Sequence, residues 1–278
     1  MKILKSIQEL ADTLDKYRSS SVLLTFHSKG DTDSLSSSIA LSQMFENPIV
    51  AYPDMISNNT SRIMRSIGYD PRSLEKEFPA SARAVILLDA NNFDECGKFR
   101  DKLNAFNGPI IIIDHHVPNH ISGSNIIMFN DESYNSATSI VYELLKLIGA
   151  KIDERTAKLL LTGIISDSAE LKNSTAQTFI EIGELLNVAH SEYQDLLDTI
   201  VHIAEPETRA ETIGDLMAST VVIRSDVLFV YGVARGHANI AADSAIRIGA
   251  DVSLFQSGGG KSVSFSARLR PNSYAICP

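Results

Sequence analysis

The chain has 278 residues, enough for one large domain or two modest ones. Hydrophobic residues make up 44% and charged residues 21%, ordinary globular usage that excludes wholesale disorder. A formal net charge of −9 speaks against a chain coated evenly for nucleic acid. No apolar run approaches the roughly 18 to 20 residues of a membrane span. The charged start, MKILKSIQELADTLDKYRSS, lacks the apolar core of a secretory signal. Two cysteines, Cys96 and Cys277, with no CxxC or CxxH spacing, exclude a disulfide framework or zinc ribbon and suit a reducing cytoplasm.

An N-terminal amphipathic helix leads to Ser21–Phe26 (SVLLTF), a short run of buried-strand type. The spacing of Leu35, Ile39, Leu41 and Phe45 predicts a helix ending near Asn47-Pro48. PIVAY, a helix around 61–67, and the apolar run ARAVILLDA follow. A helix near 95–106 precedes PIIIIDHH, whose four isoleucines demand burial on both faces of a parallel sheet. NIIMF is another strand, and helices are predicted over 137–149, 154–165 and 176–186. The alternation implies an α/β fold, a doubly wound, mainly parallel sheet over roughly residues 20–187.

From about 190 to 219 the pattern reads as one long, charge-rich helical connector, interrupted at Glu205-Pro206. VVIRSDVLFVYGVA, a helix over 237–249, DVSLFQSGGG and KSVSFSARLR then predict β-β-α-β-β, a smaller mixed α/β domain. Over residues 221–278, Arg224, Arg235, Arg247, Lys261, Arg268 and Arg270 face only Asp226, Asp243 and Asp251, a balance of +3 against −12 for the rest. That contrast is either chance or a division of labour between an acidic part that binds metal and a basic part that holds phosphate.

Ligands of open parallel sheets gather at the carboxyl ends of strands. Here the strands end in His27-x-x-x-Asp31-x-Asp33, in Asp89 and in Asp114-His115-His116, and a helix ends in Ser166-Asp167. One Asp after a strand is usually a helix cap or turn residue. Four such motifs at one edge are a different matter, because crowded carboxylates and imidazoles repel without a cation. Mixed oxygen and nitrogen ligation suits Mn²⁺, with Mg²⁺ as the alternative. Four aspartates would balance two divalent ions, a site suited to phosphoester hydrolysis.

At these residues the sequence resembles the DHH phosphoesterase superfamily, named for the motif that stands here as Asp114-His115-His116. Its motifs appear in order as HSKGDTDS, LLDA, IIIDHH and GIISDSAE, and SYNSATSIVYELL resembles the stretch between the third and fourth. The resemblance covers about residues 20 to 270. It implies a DHH domain over 1–187, a connector over 188–219 and a DHHA1-like substrate-binding domain over 220–278, as in the RecJ-like and nanoRNase branch. It further implies that His27 and Asp31 hold one Mn²⁺, that Asp33, His115 and Asp167 hold a second, and that Asp89 bridges them. Asp114 would orient His115, and His116 would touch the scissile phosphate as donor or general acid. Arg268, in SFSARLR, would grip a substrate phosphate.

The implied activity is Mn²⁺-dependent hydrolysis of short single-stranded oligonucleotides or small nucleotides, in the cytoplasm, with no membrane partner and with homodimerisation left open. The alternatives are a RecJ-like single-strand exonuclease, an inorganic pyrophosphatase and a non-catalytic nucleotide-binding protein. This branch carries a GGGH-type loop after the Arg-bearing strand. Here Gly258-Gly259-Gly260-Lys261 precedes that strand and reads as a hairpin turn. The departure implies either a truncated chain or a different mode of substrate binding. His120, His190, His202 and His237 lie outside the motifs and read as surface or structural residues, His237 as a helix cap. Cys96 has no neighbouring base for nucleophilic catalysis, and the lack of a Walker-type loop counts against an ATPase.

Overall fold

Ile110 to Ile113 lie in a parallel strand and are buried in alternation on its two faces. The computed structural model describes residues 1–119, 121–168, 171, 173–200, 205–258 and 262–270. Ile111 and Ile113 join an apolar cluster with Val22, Leu24, Phe26, Ile86 and Leu88, while Ile110 and Ile112 join another with Leu23, Val85 and Leu87. A strand turns successive side chains to opposite sides, so a run apolar at every position needs cover on both.

The chain divides into two compact units, Met1–His202 and Ile203–Pro278. The first holds strands β1 (Lys2–Ile3), β2 (Ser21–Phe26), β3 (Asn47–Val50), β4 (Ala84–Leu88), β5 (Ile110–Asp114) and β6 (Ile126–Asn130). All pair in parallel, in the order β1-β6-β5-β4-β2-β3. Its helices are α1 (Ile7–Asp15), α2 (Thr32–Ser42), α3 (Asn58–Ser66), α4 (Arg100–Asn104), α5 (Ala137–Leu147), α6 (Glu154–Asp167), α7 (Ala176–Ala189) and α8 (Tyr193–Ile200). Leu10, Leu35, Ile63, Ile140, Leu160, Leu185 and Leu196 bring seven of them onto one face. Phe93, Phe99 and Leu103, from the segment after β4, cover the other. Strand order reverses at β2, because the chain goes outward to β3 and then returns past β2 to β4, β5 and β6. The crevice at such a reversal, at the carboxyl ends of β2 and β4, is where open α/β sheets bind ligands.

Helix α2 is buried from Thr32 through Ser38, although most of those residues are serine or threonine. Ser37 and Ser38 donate to the Ser34 carbonyl at 3.1 and 2.8 Å, so their hydroxyls are satisfied within the helix. Ser36 Oγ lies 3.4 Å from Thr162 Oγ1 of α6. Small side chains therefore set a close approach of α2 and α6, and the apolar spacing of α2 understates how much of it is covered. Gly163 completes that contact. A Cβ there would collide with Thr138 Oγ1 and stand 2.9 Å from Ser36 Cβ.

Some expectations change. β1 is an edge strand too short for periodicity to reveal. The helix expected over 95–106 is a 3₁₀ segment, Phe93–Phe99, followed by α4. The break is at Gly97, with φ of +47°, where Asp54 packs against the backbone and accepts from Lys98 N at 3.2 Å. The long connecting helix is instead several pieces. α7 ends at His190, which takes a left-handed conformation. α8 packs its Leu196 and Ile200 into the first unit's core, and residues 201–204 lie outside the described ones.

The second unit holds α9 (Pro206–Met217), β7 (Thr220–Arg224), β8 (Val227–Val233), α10 (Ala238–Ile248), β9 (Val252–Ser257) and β10 (Ser264–Leu269). Its sheet order is β10-β9-β8-β7, mixed as expected, with β8 and β9 parallel across α10 and a hairpin on each side. Ser225 and Asp226 both take positive φ, 48° and 64°, as a two-residue type I′ hairpin turn requires. Ala238, Ala241, Ala242 and Ala245 seat α10 against Val230 and Phe255. His237 precedes α10 but its side chain makes no capping bond, so the expected imidazole cap is not formed. Ser257 pairs with Ser264, and residues 259–261 of the glycine run, the place of the expected hairpin turn, lie outside the described ones. Among the described residues, no helix is long and apolar enough to cross a membrane.

Gly163→Val should push α6 from α2 and α5 and destabilise the first unit by about 1–3 kcal/mol, as overpacking typically does. A lowered urea midpoint with an unchanged m-value would report it.

Candidate metal centre

The loop after β2 turns sharply at Gly30. Its φ is +51°, and any side chain there would collide with the Met55 carbonyl. The turn brings His27 Nε2 to 3.1 Å from Asp31 Oδ2. Asp31 is also the N-cap of α2, its Oδ1 accepting from Ser34 N at 3.0 Å. One oxygen thus serves the usual cap of an Asp after a strand, which leaves the other beside His27 as a candidate ligand.

Asp33, in the first turn of α2, is 1% exposed. Both its oxygens accept backbone amides at the start of α5, from Ala137 N at 2.8 Å and Thr138 N at 2.9 Å. A helix N-terminus stabilises an adjacent anion, so α5 supports a buried carboxylate that motif reading alone left unexplained. Asp167 ends α6, where the helix dipole disfavours a negative charge. His115 Nε2, 3.3 Å away, offsets part of that cost.

Asp89 follows β4 with φ of +54°, a left-handed turn that aspartate tolerates better than most residues. Its carboxylate stands 3.3 Å from His27 Nε2 and 3.6 Å from His115 Nε2. His115 Nε2 is also 3.3 Å from Asp167 Oδ2 and 3.9 Å from Asp33 Oδ2. Two triads result, His27, Asp31 and Asp89, and Asp33, His115 and Asp167, each offering ligand atoms within 4.8 Å of one another. Asp89 lies between them. Asp89 Oδ1 and His115 Nε2 are buried and make no hydrogen bond, the condition of ligand atoms awaiting a cation. The donor set therefore fits two divalent ions. All six residues read as ligands converge here.

Asp114 lies close by but has a different task. Its Oδ1 accepts from His116 Nδ1 at 2.9 Å and from His115 N at 2.8 Å. The expectation that Asp114 orients the His115 ring is corrected, since its ring partner is His116. Asn91, which the motif reading missed, donates to Asp114 Oδ2 at 2.6 Å. Its only sequence signal is its place two residues after Asp89. His116 is 58% exposed and lines an open pocket of ≈ 470 Å³ with Ser28, Lys29, Asn91, Glu95, Asn119 and several of the ligand residues.

Arg268 lies in the second unit, on β10, its Nε donating to Asp243 at 2.6 Å. Cys96 is buried and its thiol is pushed up to about 12 by that burial, which accords with an inert residue. His190 closes α7, and His120 and His202 lie outside the described residues.

Crowding sets protonation. Burial opposes a charge on His27, but bonds to Asp31 and Asp89 outweigh it and raise its pKa to about 10. His115, also opposed by burial, is raised to about 9 by Asp89, Asp33 and Asp167. Asp31 is desolvated, yet His27 brings it down to about 2. Burial, then Asp89 and Asp167, hold Asp33 well above the usual carboxylate range. Burial chiefly pushes Asp167 up to about 6.

A ligating imidazole nitrogen must be free of its proton. His27 and His115 carry protons below about 10 and 9, so loading at pH 7.5 should expel protons from both, and apparent affinity should climb with pH. Below about pH 6 it should fall more steeply, as Asp167 also takes up a proton. Titration calorimetry of Mn²⁺ in buffers of different ionisation enthalpy would count the released protons.

A profile of the DHH family, described as its N-terminal domain, matches residues 21–164. A protein described as a probable manganese-dependent inorganic pyrophosphatase from Streptococcus pyogenes serotype M5 (strain Manfredo) is 26% identical over 185 residues, 63% of this chain and 58% of that protein. One of the same description from Streptococcus agalactiae serotype Ia is 26% identical over 223 residues, 76% of this chain and 70% of that protein. This chain thus spans just over half the length of the S. pyogenes relative. In structure, it resembles an exopolyphosphatase-related protein from Bacteroides fragilis with a TM-score of 0.75 at 17% identity, covering 96% of this chain and 85% of that one. That likeness is one of fold. The family match spans more than half of the chain, from β2 to within α6, and takes in every ligand candidate except Asp167; the chain belongs to the DHH family.

Proposed function

We propose that this protein is a Mn²⁺-dependent phosphohydrolase that cleaves phosphoester bonds in short oligonucleotides or small nucleotides. The position of Asp89 between two ligand triads carries this reading. His27, Asp31 and Asp89 would hold one ion, and Asp33, His115 and Asp167 the second, with Asp89 shared. Bound there, the ions would acidify a water and offset charge on a phosphoryl oxygen. Asp114 holds Nδ1 of His116, leaving Nε2 to give a proton to the departing oxygen. The manganese dependence named for the streptococcal relatives and the mixed imidazole and carboxylate donors support Mn²⁺. The near absence of cysteine suits a reducing cytoplasm.

The pocket bears on substrate charge. Among the described residues that line it, Lys29 is the single Lys or Arg, and Glu95 lines it as well. Inorganic pyrophosphate carries several charges and calls for several cations, whereas a phosphodiester carries one charge per linkage. This favours a diester, with affinity for long strands limited by the few phosphates that can be neutralised. Pyrophosphate is the second reading, favoured by the names of the streptococcal relatives. Mn²⁺-supplemented assays with pyrophosphate, a dinucleotide, 3′-phosphoadenosine phosphate, a cyclic dinucleotide and a long single strand would separate the two. Pyrophosphate hydrolysis with the nucleotides untouched would reverse the order of preference.

Asp89→Asn should lower turnover by several orders of magnitude and weaken Mn²⁺ binding, because it removes the charge shared by both ions. His116→Ala should lower turnover with Mn²⁺ content near that of the wild type, measured by elemental analysis. We further propose Arg268 as a phosphate contact, on the basis of the DHHA1-like reading of the second unit. Arg268→Ala should then raise KM more than it lowers kcat, since a contact felt equally in ground and transition states affects binding alone.

A further inference from the structure

We infer that Asn91 is a positioning residue that acts through Asp114 on His116, and so governs the proton donor rather than the metal ions. The inference rests on the hydrolase reading above. Asn91 is 2% exposed. Its Nδ2 donates to Asp114 Oδ2 at 2.6 Å and to the Val117 carbonyl at 3.1 Å, and its Oδ1 accepts from Asn119 N at 3.1 Å. A carboxamide has two N–H donors and one acceptor oxygen, and here each meets the loop that follows β5. A neutral side chain after β4 thereby holds the loop that carries His116.

The link to His116 is geometric. The two oxygens of a carboxylate move as one rigid group, so fixing Oδ2 of Asp114 fixes the aim of Oδ1. That oxygen accepts from His116 Nδ1 at 2.9 Å. The backbone of His116 is tied separately, its carbonyl accepting from Asn130 Nδ2 at 2.8 Å. Removing the Asn91 amide would leave Asp114 Oδ2 buried without that donor, an unfavourable state for an ionised oxygen. The carboxylate, still anchored at Oδ1 by His115 N at 2.8 Å and His116 N at 3.4 Å, would turn about that oxygen, and the His116 ring would lose its fixed tautomer and direction. The ligand triads would keep their members, since Asn91 bonds to none of them.

The test is a four-enzyme comparison of wild type, Asn91→Ala, His116→Ala and the double variant on two diesters in Mn²⁺. One is a dinucleotide, whose leaving alkoxide needs a proton. The other is a p-nitrophenyl nucleotide ester, whose leaving group needs little help. Asn91→Ala should slow the dinucleotide about 10- to 100-fold, as loss of an orienting partner typically does, and the activated ester by only a few fold. Mn²⁺ content should hold, and Asn91→Ala should add nothing in the His116→Ala background. Equal loss on both esters, an additive effect in the double variant, or loss of Mn²⁺ would overturn the inference and make Asn91 a general support of the fold or metal site. If Asn91→Ala does not fold, Asn91→Ser takes its place.

¹⁵N spectra of histidine-labelled protein read the same link without turnover. His116 should show a protonated Nδ1 in the wild type and lose it in the Asn91 variant; an unchanged signal would also overturn the inference. A wild type with that signal but inactive on both esters would sink the hydrolase reading while leaving the Asn91–Asp114–His116 link intact.

Discussion

Asp31, Asp33, Asp89 and Asp167 converge on a space shared with two imidazoles, at the edge of a sheet whose interior is apolar. Like charges at such separations repel strongly wherever water is excluded. Each carboxylate therefore needs its own compensation. Asp31 has the cap of α2 and His27, and Asp33 has the two amides that open α5. Asp89 has the imidazoles around it. Asp167, at the wrong end of a helix dipole, has His115 alone among them. Local hydrogen bonds meet part of the demand, and the proposed divalent cations would meet the rest.

Holding these groups together is a matter of helix approach as much as of loops. Asp33 and Asp167 lie on α2 and α6, whose serine, threonine and glycine contacts bring the helices close. Larger side chains along that seam would separate the two carboxylates that the proposed centre assigns to one ion. This explains a helix buried on nearly every side yet rich in hydroxyls. Its serines satisfy themselves on the helix backbone and so tolerate burial.

His115 and His116 differ by one position and differ sharply in exposure. His115 is 10% exposed and faces three aspartates; His116 is 58% exposed and faces the pocket. Both follow the last residue of β5, and their rings lie against each other with centroids 4.2 Å apart. The inner imidazole sits among the aspartates, and the outer one lines the pocket beside it. Asp114, between the strand interior and this pair, serves the outer ring rather than the inner one.

The alternation of apolar runs with helical spacing sufficed to place the strands and most helices of the first unit, because burial on two faces leaves a mark at every position of a strand. The motifs marked this strand edge as a metal site, since crowded acids and imidazoles are hard to explain without metal, and the resemblance to the DHH superfamily singled out the six ligand candidates among them. Elements with little periodicity escaped. β1 is two residues long, the 3₁₀ segment turns on the conformation of Gly97, and the expected long connector breaks because its residues pack into different cores. The sequence determined which residues could bind metal, through residue type and order along the chain. Only the tertiary structure decided that α5 offers its amides to Asp33, that Asn91 reaches Asp114 and that Asp114 partners His116. Those contacts join residues far apart in sequence or turn on side-chain direction, and no local pattern records either.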